Sequence, residues 1–274
     1  MSINLEHYKS INQTGANSES TSDRYSFIPT TRIIDDLASH GWVPSDVMEV
    51  NARKHEGFQK HLIRFRNSEI TGKFAEECQP EIVVSNSHDG KASFCLMGGL
   101  IRFACANGLI MADSLIADHR IRHQGYTGEV VKEAVYNIIE DMPNVYGSVE
   151  RFKDTIMTEG ERVAFAKGSL NLIYNEEQLD KLLVDDTARR LAKPRRASDA
   201  DDNLWSAFNI VQEKVTKGER FAVENVERET YYGKKYTTKR TRKTREIKSI
   251  DKSVKVNKAL WAYAEAVADL KNVA

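Results

Sequence analysis

Cysteine is scarce in this chain. There are three in 274 residues, Cys78, Cys95 and Cys105. So few, and an odd number, leave no basis for a disulfide framework or for the paired spacing of a zinc finger. Cys95 and Cys105 lie in apolar runs and read as buried thiols. No apolar run approaches the roughly 18 residues of a membrane span. The N-terminal stretch MSINLEHYKSINQTGANSESTSDRY has neither a basic start nor an apolar segment, so a secretory signal is not expected. The chain has no GxxxxGK[ST] and no GxGxxG, so nucleotide hydrolysis and dinucleotide binding have no support. A cytoplasmic protein that needs no cofactor is the expectation.

Net charge is also missing: 40 Lys+Arg balance 40 Asp+Glu. The balance hides a split. Residues 1–180 hold 18 basic against 26 acidic side chains, and residues 181–274 hold 22 against 14. An asymmetry of this kind points to a polyanionic partner, or to an acidic neighbour, for the second part.

What is present begins with a Ser-, Asn- and Thr-rich stretch, residues 1–24, expected to be a flexible arm. Thr30 or Thr31 is placed to cap a helix with apolar face Ile33, Ile34, Leu37 and Ala38, closed by Gly41. The run HLIRFRN alternates at period two, with His61, Ile63 and Phe65 on one face and Leu62, Arg64 and Arg66 on the other, which predicts a half-buried strand. From Glu81 to Gly125 the chain is at its most apolar, with turn signals at His88-Asp89-Gly90, Gly98-Gly99 and Asn107-Gly108. A β-rich core over 25–127 follows from this pattern.

After Gly128 the period becomes helical, through Val131, Val135, Ile138 and on past Pro143. Residues 128–191 are expected as a helical region packed on the sheet. Residues 192–274 are expected as the polar linker KPRRASDADD, a helix capped by Asp201 or Asp202, a basic segment and a final helix, all in one domain with the core. The fold class is α+β, with a central, mostly antiparallel sheet followed by a helical half.

Four constellations carry possible chemistry. Ser87-His88-Asp89 has the residues of a nucleophilic triad, but neighbours on a strand point to opposite faces, so a turn is the better reading. His119 and His123, with His88, Asp89 or Asp118, offer metal-ligand types, but no Glu sits between the histidines and no metal is assigned. Arg120, Arg122 and His123, with Arg64 and Arg66, form a candidate phosphate track, since the guanidinium fork matches phosphate oxygens. Ion pairing with the acids of the first part is the competing account.

The fourth runs from Tyr231 to Arg245. Seven cations, Lys234, Lys235, Lys239, Arg240, Arg242, Lys243 and Arg245, are interleaved with Tyr231, Tyr232 and Tyr236, with no acid among them. Such a mobile loop or exposed hairpin suits single-stranded nucleic acid, cations meeting the backbone and rings stacking on bases.

The chain resembles a family of unknown function carried by phages, prophages and plasmids, the domain of unknown function 932 family. The resemblance rests on FIPTTRIIDDLASHGW, NSHDG, RFACANGLIM, IRHQG, LWSAFNIVQE and VNKALWAYAEAVADL, in that order over about residues 25 to 270. Its setting in mobile elements implies replication, recombination or conflict with the host. The layout also looks like that of phage single-strand annealing proteins, which hold single-stranded DNA in rings or filaments, although fold does not by itself fix function.

The function expected is a non-enzymatic single-stranded DNA-binding protein, of the strand-annealing kind and homo-oligomeric. The alternatives are a factor that binds a host protein and a metal-dependent nuclease using His88, Asp89, His119 and His123.

Overall fold

The computed structural model describes residues 3–52, 54–71, 78–102, 107–111, 119–121 and 128–273. The chain is α+β and divides into two compact units, Met1–Gly147 with Lys248–Val254, and Ser148–Ile247 with Lys255–Ala274. The division falls inside one helix, between Gly147 and Ser148.

The first unit is built on an antiparallel sheet. A helix, α1 (Thr30–Ala38), precedes strands β1 (Val43–Glu49) and β2 (His61–Arg66). A short helix α2 (Ser68–Thr71) leads on, and β3 (Cys78–Asn86), β4 (Phe94–Arg102), β5 (Asn107–Met111) and β6 (His119–Ile121) complete the sheet. The order is β1-β2-β3-β4-β5, and β6 pairs with the beginning of β4 while β5 pairs with its end. Helix α3 (Gly128–Asp154) begins in this unit.

Two turn signals are corrected here. Gly98-Gly99 lies mid-strand in β4, opposite Ile82 and Glu81, and Asn107-Gly108 opens β5 opposite Arg102 and Ile101. Glycine permits a turn but does not compel one; neighbouring strands able to pair decide otherwise. At His88-Asp89-Gly90 the turn stands: Gly90 has φ +73° and the Asp89 carboxylate accepts from the Lys91 N–H at 3.1 Å.

Strands β2 and β3 are buried on both faces, not half-buried. On one face, Leu62, Val83 and Met97 pack with Ile250, at the start of the last helix α8 (Ile250–Val273). On that same face Arg64 donates to Glu81 at 2.6 Å and Arg66 at 2.8 Å. Glu81 has no exposed surface, and Gly99 stands opposite it with no side chain to crowd the ion pair. The other face carries His61, Ile63, Phe65 and Asn86, against which Thr30 of α1 is set. Thr30 therefore does not cap α1; its hydroxyl is used inside.

Residues 3–24 are not a free arm. Ile11 is fully buried, the Ser10 hydroxyl donates to Glu49 at 2.5 Å, and the Asn17 N–H donates to the His88 carbonyl at 2.9 Å. One apolar residue and a few well-placed amides are enough to hold a polar stretch down. Cys78 is buried but Cys95 only partly so, and Cys105 lies outside the described residues.

The second unit has an aromatic centre. Helices α4 (Glu159–Ile173), α5 (Glu176–Leu179), α6 (Val184–Ala192) and α7 (Leu204–Lys217) surround it with the later part of α8. Trp261 meets Phe152 at 4.9 Å and Phe208 edge-on at 5.6 Å, and Trp205 stacks on Phe208 at 5.9 Å. Asn203 caps α7, accepting from the Ser206 N–H at 2.8 Å; Asp201 and Asp202 do not. The expected linker is tied down as well: Arg196 forks onto Glu213 of α7 with two bonds of 2.8 Å, and also holds Asp199. Lys214 of α7 is buried and donates to the Arg190 carbonyl at 2.5 Å and to that of Lys193, closing the C-terminus of α6. Among the described residues, no helix is long and apolar enough to cross a membrane.

Candidate nucleic-acid interface

The basic segment is one half of a β-hairpin in the second unit. Strand β7 (Arg220–Glu229) pairs antiparallel with β8 (Lys235–Lys243) in a two-stranded sheet of its own. Neither RFAVENVERE nor KYTTKRTRK alternates cleanly between apolar and polar residues, so the Gly233-containing turn between them is the main local sign of the hairpin.

The base of the hairpin is fixed to α6. Thr187 bonds Ala222 twice, its hydroxyl donating to the carbonyl at 3.3 Å and accepting from the N–H at 3.1 Å, and the Leu183 N–H donates to the same carbonyl at 2.7 Å. Phe221 is buried edge-on to Tyr174 at 5.7 Å, and Lys239 forms an ion pair with Asp186. Gly218, at φ +89°, turns the chain out of α7; a Cβ there would come within 2.6 Å of the Thr244 carbonyl oxygen, so only glycine fits.

Beyond Ala222 both strands are largely exposed. The register sorts the cations by face. Arg228 lies opposite Tyr236, Glu224 opposite Arg240 and Phe221 opposite Arg242 on one face; Glu229 opposite Lys235, Asn225 opposite Lys239 and Arg220 opposite Lys243 on the other. One face thus presents mainly arginine and the other mainly lysine. Glu224 meets Arg240 at 3.2 Å, so β7 brings acids that the basic stretch itself lacks.

The tip is held by its own backbone. The Gly233 N–H donates to the Thr230 carbonyl at 2.9 Å, and the Thr230 N–H to the Lys234 carbonyl at 3.0 Å, with Gly233 at φ +77°. Tyr231 and Tyr232 are 98% and 92% exposed, set edge to face with centroids 5.6 Å apart.

The candidate residues are distributed as follows. Tyr231, Tyr232, Lys234, Lys235, Tyr236, Lys239, Arg240, Arg242 and Lys243 share the hairpin, and Arg245 is exposed in the extended segment after it. Arg64 and Arg66 lie in the first unit and turn toward Glu81 instead of forming an open track. Arg120 lies on β6 opposite Cys95, and Arg122 and His123 lie outside the described residues. His88 is buried, its Nε2 3.2 Å from the Thr30 hydroxyl, and Asp89 is engaged with its own turn. Among the described residues, no group of three or more His, Cys, Asp or Glu is placed to hold a metal. The sequence reading missed Asp186 and Thr187, the anchors of the hairpin, since contact across more than 30 residues leaves no local pattern.

Comparison with known proteins places the chain. Residues 18–261 match the family described as domain of unknown function (DUF932), and the chain belongs to that family. It is similar to two Escherichia coli K12 proteins. UPF0380 protein YafZ is 31% identical over 255 residues, covering 91% of this chain and 84% of the relative. UPF0380 protein YfjQ is 30% identical over 252 residues, with the same coverage. No solved structure matches the chain.

Proposed function

We propose that this protein binds single-stranded DNA through the β7–β8 hairpin, as a cytoplasmic, homo-oligomeric binding or strand-annealing protein of a mobile element. The observation that carries the reading is the hairpin itself: an exposed cationic ribbon, anchored at its base, ending in two tyrosines whose rings meet solvent. Cations on the shaft neutralise phosphates and release their condensed counterions, while the rings supply stacking of about 1–3 kcal/mol per base. Because every base has a stacking face, such a site tolerates any sequence. The test is a fluorescence-anisotropy titration of a labelled oligonucleotide across a salt series, with native mass measured with and without the strand. Affinity that falls linearly in log–log form with salt is expected; no binding at low salt overturns the reading.

A second reading is a factor that binds a host protein, and the acids of β7 favour it. Glu224, Glu227 and Glu229 alternate with the cations and reduce the field a polyanion would meet. Replacing Lys239, Arg240, Arg242 and Lys243 by Ala would leave that activity in place, whereas it would remove DNA binding.

A further inference from the structure

We infer that the hairpin recognises the junction between double- and single-stranded DNA, with the tip against the last base pair and one separated strand along each face. This rests on the nucleic-acid reading above and narrows its substrate.

The argument begins with the two faces. A surface built for one strand concentrates its cations on one side, as a groove does. Here adjacent cations, Lys239 with Arg240 and Arg242 with Lys243, are forced to opposite sides by the pleat. The register then places Arg228, Arg240 and Arg242 on one face and Lys235, Lys239 and Lys243 on the other. Same-face neighbours such as Arg240 and Arg242 stand about 7 Å apart at the usual strand rise. Glu224 shares the arginine face, and Glu227 and Glu229 share the lysine face, where Arg220 adds a fourth cation, so cations still outnumber acids by two on each side. A ribbon two strands wide with this surplus on both sides matches two polyanions diverging around it better than one.

The tip supplies the second part. Tyr231 and Tyr232 are almost wholly exposed, and their mutual contact is the edge-to-face one at 5.6 Å, so two ring faces are offered to solvent. Exposing two large rings at the end of a hairpin gives the fold nothing; a flat π surface such as the end of a base-paired stack uses them. The turn holding them is closed by the two backbone bonds between Thr230 and its neighbours Gly233 and Lys234. From the docked Ala222 to that turn the paired shaft is about 20 Å long at the usual strand rise, enough to hold the tip away from α6. Tyr236, half-exposed on the arginine face, is placed to stack on an unpaired base of the strand that follows that face. The arginine face is therefore the tracking side, and the lysine face, anchored at mid-shaft by Lys239 on Asp186, takes the other strand through its outer part.

The test compares three labelled DNAs at one salt concentration: a single strand, a blunt duplex, and a fork of that duplex with two non-complementary tails. The fork is expected to bind tightest, about tenfold over the single strand, the gain of one stacking contact. A 2-aminopurine placed at the junction base pair is expected to dim as a tyrosine ring stacks on it, and an unchanged signal overturns the docking of the tip. The Y231A/Y232A double variant is expected to weaken binding to both DNAs but to cost the fork about tenfold more, so that the two affinities become equal, since the shaft still meets the phosphates of either. Equal affinity for fork and single strand in the unaltered protein, or loss in the variant that is the same for all three DNAs, overturns the junction reading and leaves single-strand binding standing. No affinity for any of the three overturns both.

Discussion

The hydroxyl of Thr30 lies 2.9 Å from Nε2 of His61, with neither residue exposed. Nε2 of His88 approaches the same hydroxyl at 3.2 Å, and Asn86 donates to it at 3.1 Å. The first residue of α1 is thereby joined to β2, β3 and the turn beyond β3 through a single oxygen.

Stability should depend on pH through His61. Burial pushes its imidazole down from near 6.5 to about 4, against the opposing pull of the Gln59 carbonyl and Glu49. A folded value below the unfolded one means that the unfolded chain binds more protons between them. The stabilisation is then complete above about pH 6.5 and is lost as pH falls toward 4, on the order of 3 kcal/mol in all. Denaturant midpoints measured from pH 7 to pH 4 should fall steeply in the native protein, and the His61→Gln variant should show a flatter profile.

Glu81 should be among the costliest surface-distant positions to alter. Removing its carboxylate leaves Arg64, buried at the same face, without its 2.6 Å partner. Glu81→Ala is expected to cost about 3 kcal/mol or more. Replacing both residues by apolar side chains of similar volume should recover most of that, which thermal unfolding of single and double variants would show.

Gly168 of α4 lies against the ring of Tyr263, which is itself stacked on Phe165 at 5.0 Å and 3°. A methyl group at 168 would intrude on the Tyr263 hydroxyl and Cζ, and the stacked ring has little room to yield. Gly168→Ala should therefore lower stability by about 1–2 kcal/mol despite alanine's better helix propensity. Adding Tyr263→Phe should relieve part of the loss, a non-additivity visible in urea melts.

The shaft arginines should report on binding and not on folding. Arg240 and Arg242 are exposed, so Ala at either is expected within about 0.5 kcal/mol of native stability. Each should also reduce the slope of log affinity against log salt by about one for single-stranded DNA. Circular dichroism and the anisotropy series together check both halves.

Much of the layout could be read locally. Period two marked β2, period 3.6 marked α3 and α7, and the crowd of cations after Tyr231 marked a mobile loop or an exposed hairpin, which pairing with β7 resolves as a hairpin. The misread positions share one cause. Gly98-Gly99 and Asn107-Gly108 look like turns because a dipeptide signal reports which backbone angles are permitted, while β3, β4 and β5 decide by pairing. Arg64 and Arg66 look like a displayed track because Glu81 lies 17 and 15 residues away, with nothing nearby to announce it. Ile11 looks like part of a loose arm because one apolar residue in a polar stretch carries no period.

By itself the sequence determined the α+β class, the order of strand-rich and helix-rich parts, and the concentration of cations and tyrosines near residue 240, since alternation and composition are local properties. The tertiary structure decided what those residues face. It buried both sides of β2 and β3, turned Arg64 inward to Glu81, and joined Thr30 to His61. It also brought the acids of β7 opposite the cations of β8 and divided those cations between two faces. Register and burial depend on which distant segments meet, and a side chain's partner, more than its own chemistry, determines whether its charge is available for function.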